Sequence, residues 1–454
     1  MTRSELRGLL VVGLGTAVVP LDASVNVAFP QIMAHFGLDI PAIRFVVISY
    51  VLIYASLTLA FGRIGDLLGY RLVFLLGCLV SFLAFIGCTW APSFGWFLAG
   101  RAVQGVGAAL VLSVGPALAT MLLPESRRAE ALGWYSMMMA LAAAAGPLLA
   151  GVLLAEWGWS AVYGFRIPIA LAGFLLAFGL PDRPAQAART PFDLLGALLL
   201  ALAIGALVLL LDLLRGLPNG RAALIAAVFF AGASMSAFVW RQSVAVAPIL
   251  RLGVFRQPGV ARINIANMLV SLGWFAVPLL LPFYLNRFSG LSVPAGGALL
   301  AVGPLGSIFA APLAGRMAGR ISSRLLAQTG AALVGLALAA VALVGPGAPL
   351  AWLAGAMLAQ GVGIGLFQVA TLDILTGSLP QADRGVAGSL GMVTRTIGTL
   401  SGASLLMLAF QSVGPTETVA AFMQGFQRAY LLAAGLALLA AFGLWNRRKT
   451  GPHA

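Results

Sequence analysis

Charge is what this chain has least of: Asp, Glu, Lys and Arg make up 9% of its 454 residues, alongside two cysteines and two histidines. Each scarcity excludes something. A soluble globular domain needs far more polar surface than this composition can supply. Cys78 and Cys88 lie ten residues apart on one apolar segment. One helix cannot fold back to join them, so free thiols are expected and no disulfide framework. His35 and His453 form no metal-ligand cluster, and no metal is expected. The absence of paired carboxylates, a His cluster or a nucleophile constellation argues against an enzyme. Gly361-Val-Gly363-Ile-Gly365 is no phosphate loop, because no strand precedes it and no Lys follows, and it reads as helix packing. With no nucleotide site or other cofactor expected, energy for work would come from an ion gradient.

What is present is apolar. Hydrophobic residues make up 61% of the chain and the mean hydropathy is +1.01. A membrane helix needs about 20 apolar residues to cross about 30 Å of hydrocarbon. Runs of that length predict an all-α polytopic membrane protein with fourteen transmembrane helices. They lie at roughly 8–30, 43–62, 72–91, 95–121, 129–154 and 161–180, then 193–213 and 221–240. The last six lie at roughly 263–286, 295–314, 325–345, 350–376, 385–411 and 428–446. Arg3 and Arg7 precede the first run as in a secretory signal, but the run is long enough to span, so a retained helix is expected.

The net charge of +14 is spread through short loops rather than gathered in one patch, which fits membrane topology better than a nucleic-acid partner. With the N-terminus inside, nineteen of the 27 basic residues fall in cytoplasmic segments and five (Arg44, Arg215, Arg221, Arg287 and Arg428) in outer ones. Arg101, Arg166 and Arg395 are left inside spans. Both termini are therefore expected to be cytoplasmic, in a cell membrane, with a bacterial inner membrane favoured by tails that lack an organellar targeting segment.

The chain also echoes itself. Gly62-Arg63-Ile64-Gly65-Asp66 follows the second span, and Gly315-Arg316-Met317-Ala318-Gly319-Arg320 follows the second span of the last six. The economical division is a six-helix bundle over 1–185, two extra helices and a linker over 186–262, and a second six-helix bundle over 263–454. Paired repeats are how many transporters build a central site and alternate its access.

Several motifs carry chemistry. Asp22, in Leu21-Asp22-Ala-Ser-Val-Asn26, sits about 12 Å inside the outer edge by helical rise. A carboxylate at that depth is costly unless paired, protonated or facing a wet cavity. Asn26, one turn on, could share a proton or a polar substrate group. Arg101, in Arg101-Ala-Val-Gln104-Gly105, lies about 9 Å in from the same face, so a pair with Asp22 is geometrically allowed. Asp22 is then either a proton or substrate site or an acid locked in a structural ion pair. Gly146-Pro147-Leu-Leu-Ala-Gly151 offers small residues for close helix approach and a proline that permits a hinge. Gly62, Arg63, Gly65, Asp66, Gly69 and Arg71 form a glycine-rich loop in which Asp66 can meet a helix N-terminus or an arginine and latch that side. Arg395, about 15 Å deep, should face the bundle interior. Asp373 reads as interfacial. Tyr50, Tyr54, Trp134, Met137, Met138, Trp274, Phe275, Phe283, Tyr284 and Phe367 could line an adaptable apolar cavity.

Together these stretches resemble the major facilitator superfamily, specifically its fourteen-span drug:proton antiporter subfamily, along essentially the whole chain. Leu67 and Tyr70 depart from commonly basic positions in the loop, Ala142 and Ala150 from glycines on the fifth helix. Arg166 departs from a polar neutral residue near Trp157-Gly-Trp159 and Ile167-Pro168, which puts the substrate's charge in doubt. The resemblance implies a proton role for Arg101. It also implies export of a small amphipathic compound or drug in exchange for protons, by a monomer in a lipid bilayer. An organic-anion or lipid carrier of the same fold is the alternative, since arginine suits carboxylate or phosphate. A ligand sensor that binds without moving its ligand is the non-transport reading.

Overall fold

A computed structural model describes the chain except residues 1, 39–41, 43, 182–191, 216–220, 258, 289, 292, 319, 381–383, 414–417 and 446–454. Arg183, Arg189, Gly319, Arg447, Arg448, Lys449, His453 and the boundary expected at 185/186 lie outside the described residues. Among those described there is no strand. In chain order the helices are α1 (Arg3–Ala17), α2 (Ala23–Phe36), α3 (Arg44–Leu68), α4 (Tyr70–Thr89), α5 (Phe94–Thr120), α6 (Arg128–Trp157), α7 (Ala161–Gly164) and α8 (Arg166–Ala177). Then come α9 (Leu194–Arg215) and α10 (Arg221–Val244). They are followed by α11 (Val260–Trp274), α12 (Ala276–Phe288), α13 (Val293–Met317), α14 (Ser323–Ala342), α15 (Leu350–Ser378), α16 (Arg384–Gln411) and α17 (Val419–Leu444).

Among the described residues, twelve helical stretches are long and apolar enough to cross a membrane. Two shorter apolar stretches, Ala161–Ala177 and Leu194–Leu207, fall where the sixth and seventh of the fourteen expected spans lie. The first of these is interrupted at Phe165, between α7 and α8. The apolar stretch described for α9 stops at Leu207, although its helix runs on to Arg215.

Local chemistry sets the ends. Thr2 and Glu5 close a reciprocal capping box at the start of α1, satisfying two backbone donors that the helix leaves open. Ser93, Ser322 and Thr418 each accept a backbone N–H at the starts of α5, α14 and α17. Pro20 has no N–H to continue the ladder, and the first span breaks there into a 3-10 turn, Pro20–Asp22, between α1 and α2. The span after the middle pair is also broken, between Trp274 and Ala276. Cys78 and Cys88 are buried free thiols.

Packing repeats across the chain. In the first group α5 lies against α3 and α4, α8 against α4, and α1 against α6 and α8. In the second group α15 lies against α13 and α14, α17 against α14, and α11 against α16 and α17. Each pairing in one group thus has its counterpart in the other. The groups meet along two seams related in the same way, α3 and α5 against α16, and α6 against α13. Apart from these, α9 and α10 pair with each other, and α9 leans on α3 and α16.

Candidate functional site

Asp22 ends the 3-10 turn and stands at the N-cap of α2, yet its carboxylate makes no capping bond. It turns instead to two arginines from different helices. Arg101 on α5 donates through Nη1 to Oδ1 at 2.7 Å and through Nη2 to Oδ2 at 2.9 Å, a fork-to-fork pair. Arg166, at the start of α8, donates to Oδ1 at 2.9 Å, and Gln104 Nε2 donates to the same oxygen at 2.9 Å. Both guanidiniums are anchored from behind, Arg101 Nε on the Val46 carbonyl at 3.0 Å and Arg166 Nε on the Val162 carbonyl at 2.9 Å. Aromatic faces flank them: Tyr50 lies 4.4 Å from Arg101, and Tyr163 and Phe85 lie 4.7 and 4.8 Å from Arg166. The cluster holds two buried positive charges and one negative.

Gly146 explains how α6 reaches this turn. A Cβ there would stand 3.1 Å from the Leu21 carbonyl oxygen, so only glycine admits the approach comfortably. Pro147 follows inside α6. Gly151 faces open space and makes no such contact.

A second polar locus lies between the two groups of helices. A narrow cleft is bordered by Tyr135, Ser136 and Met139 of α6, by Asn267 of α11, by α15, and by Arg395 of α16. Trp274, at the break between α11 and α12, sits with its ring 5.9 Å from the Arg395 guanidinium.

The loop residues build a latch at the face where α1 begins. Gly69 adopts φ +97°, the left-handed turn that lets α3 pass into α4. Asp66 accepts from the Gly385 N–H at 2.7 Å and the Val386 N–H at 3.2 Å, capping α16, while the Tyr70 hydroxyl donates to it at 2.7 Å. Gly62 makes that contact possible: a Cβ there would lie 2.7 Å from the Gly385 carbonyl oxygen. Gly65 makes room for the Val114 side chain of α5. Arg63 is buried near the end of α3, and Arg71 stands in the first turn of α4. The echo of this loop plays the matching part, since a Cβ at Gly315 would lie 2.5 Å from the Ala129 carbonyl at the start of α6. Two ion pairs complete the closure. Arg384 meets Glu125 at 2.6 Å, and Arg128 meets Asp373 at 3.0 Å.

Asp22, Arg101 and Gln104 therefore come together, with Tyr50 beneath them, whereas Asn26 is exposed and stands outside the cluster. Arg395 takes a separate place. The Tyr54 hydroxyl accepts from Thr396 at 3.4 Å across the seam. Trp134 and Met138 are half-buried on α6, Met138 against Gly13 of α1. Two expected cavity residues lie elsewhere. Phe283 is 58% exposed, on the outside of the bundle, and Phe367 is packed where α15 passes Gly330 of α14. Arg166 and Asp373 are the residues that sequence reasoning undervalued. The first stood as one of three arginines inside spans and as a departure from a pattern, and the second was read as interfacial.

The Major Facilitator Superfamily profile matches residues 11–403, and again 263–453. Over 427 residues the chain is 29% identical to the uncharacterized transporter YebQ of Escherichia coli, covering 91% of each chain. It is 28% identical to the multidrug resistance protein Stp of Mycobacterium tuberculosis, covering 89% of this chain and 76% of that one. The crystal structure of the human organic anion transporter MFSD10 superposes with a TM-score of 0.67 at 16% identity, covering 98% of this chain and all of that one.

Proposed function

The chain belongs to the major facilitator superfamily, and from that premise we propose that it exports a small amphipathic organic compound in exchange for protons. It does so as a fourteen-span monomer of a bacterial inner membrane, with both termini cytoplasmic. The observation that carries the reading is the closure of one face. The Asp66 cap on α16 and the Arg384–Glu125 and Arg128–Asp373 pairs join the two groups of helices there, while a polar cleft lies between them. Two six-helix halves joined at one end around a central site are the parts that alternating access requires. Relatives such as Stp, named for multidrug resistance, support export over import.

Asp22 is the proton site in this reading. Its single negative charge holds two guanidiniums together. A proton on Asp22 removes that charge and leaves Arg101 and Arg166 to repel each other, so the broken first span loosens from α5 and α8. Loss of the proton on the other side restores the cluster. Binding of protons is thereby tied to the position of the first helix.

The test is substrate-induced collapse of a pH gradient, followed by a pH dye in inverted vesicles, with wild type beside Asp22→Asn and Asp22→Glu. Lipophilic cations, neutral drugs and organic anions form the panel. Wild type and Asp22→Glu should dissipate the gradient with at least one class and Asp22→Asn with none. Unchanged gradient dependence in Asp22→Asn would sink the proton role.

A further inference from the structure

Three arginines stand deep in the bundle, and they are treated differently. Arg101 and Arg166 each reach a backbone carbonyl and the Asp22 carboxylate. Arg395 has no hydrogen bond or ion pair from its guanidinium to any described residue; the face of Trp274 lies against it, with Tyr54 and Tyr135 nearby. An arginine placed only for structure would be expected to use its five donors on the protein, as the other two do. This one holds them toward a cleft.

The rest of the cleft matches it in sign. Tyr135 and Thr371 border the cleft, both 2% exposed, and their hydroxyls are buried with no partner among the described residues. The Gln368 amide also borders the cleft and has no partner among the described residues. No Asp or Glu lines it. A guanidinium, two residues with unspent hydroxyls and an amide side chain border one space, with no carboxylate to neutralise the charge. Met139 and Met392 supply the apolar remainder of the wall.

We infer that the Arg395 cleft is the subsite for an anionic group, a carboxylate or its phosphate or sulfonate equivalent, on an otherwise apolar organic compound. The inference rests on the transport reading above for its physiological meaning and names the charge of the cargo. The Arg395 fork takes the two oxygens, Tyr135 and Thr371 donate to them, and Trp274 with the methionines covers the apolar body. Because the walls come from α6 on one side and from α11, α15 and α16 on the other, the bound anion would touch both moving parts.

The test is equilibrium binding to the full-length protein in detergent, read by dansyl fluorescence. Dansylglycine is the anionic probe and dansylglycinamide its uncharged counterpart. Wild type should bind the acid about ten-fold or more tighter than the amide, the selectivity of a charge-assisted hydrogen bond. Arg395→Gln should erase that preference while leaving amide binding in place, which also reports that the variant is folded. Arg395→Lys should keep part of the preference. Equal binding of the two probes to wild type, no binding of either, or a preference that survives Arg395→Gln overturns the inference. Displacement of dansylglycine by phosphatidylglycerol supports it and identifies a lipid headgroup as the source of the anion. Binding needs no gradient, so a protein that binds the acid but moves nothing leaves this inference standing and sinks the transport reading. Proton-coupled flux without acid preference does the reverse.

Discussion

Arg128 and Asp373 lie 245 residues apart in the chain and meet at 3.0 Å, with Ser323 donating to the other carboxylate oxygen. The pair joins the first turn of α6 to the last turns of α15, so it ties one group of helices to the other where side chains are largely shielded from water.

Removing that tie should bias the protein toward opening at this face. Asp373→Asn is expected to shift the balance about ten-fold or more, the worth of a charge-assisted hydrogen bond. The measurement is the rate at which a thiol reagent modifies Ser113→Cys, a position buried on α5 beside the seam. The native cysteines are buried and provide the baseline. An unchanged rate would mean that the pair is not part of the latch.

Gly62→Ala should cripple transport while the protein still inserts and purifies. Its methyl group would meet both the Ser389 side chain and the Gly385 carbonyl, and the carbonyl cannot move aside. Adding Ser389→Ala should therefore fail to restore flux. Gly151→Ala, at a position facing open space, should leave flux unchanged and stability within about 0.5 kcal/mol. Flux in reconstituted vesicles ranks the three variants.

The charge count at Asp22 predicts an order of stabilities. Asp22→Asn leaves two buried guanidiniums with no counter-charge and should lower the melting point of the purified protein, a loss on the order of 3–5 kcal/mol. Removing Arg166 as well, in Asp22→Asn/Arg166→Gln, returns the net charge of the cluster to +1 and should recover part of that loss. Arg101→Gln should cost more than Arg166→Gln. Arg101 holds both carboxylate oxygens, Gln104 and the Val46 carbonyl, whereas Arg166 holds one carboxylate oxygen and the Val162 carbonyl.

How far the sequence reached depends on the kind of signal each residue left. Asp22 and Arg101 could be matched in advance because helical rise places both at a similar depth. Arg166 could not, because its depth near the start of a short broken helix depends on where the chain re-enters after Trp157, and apolar runs do not fix that. The Gly62 loop and its echo at Gly315 were visible as a repeat, but their partners, Gly385 and Ala129, could not be read from spacing. Asp373 was read as interfacial, and it does lie near the end of its helix; what spacing could not supply is its partner, Arg128 of the neighbouring group. The aromatic residues carried the least information. Phe283 facing outward and Phe367 packed between helices have the same hydropathy as a residue lining a cavity.

The seams where the two groups meet are built largely from backbone: Gly62 on Gly385, Gly133 on the Ala311 carbonyl, Gly315 on the Ala129 carbonyl. Ordering a long side chain on contact costs up to about 2 kcal/mol of rotamer entropy, whereas glycine and alanine have almost none to lose. These surfaces can separate and rejoin with little disorder gained or surrendered at each pass. Their grip is a matter of shape, and it is the few charged pairs at the rim that set how long it lasts.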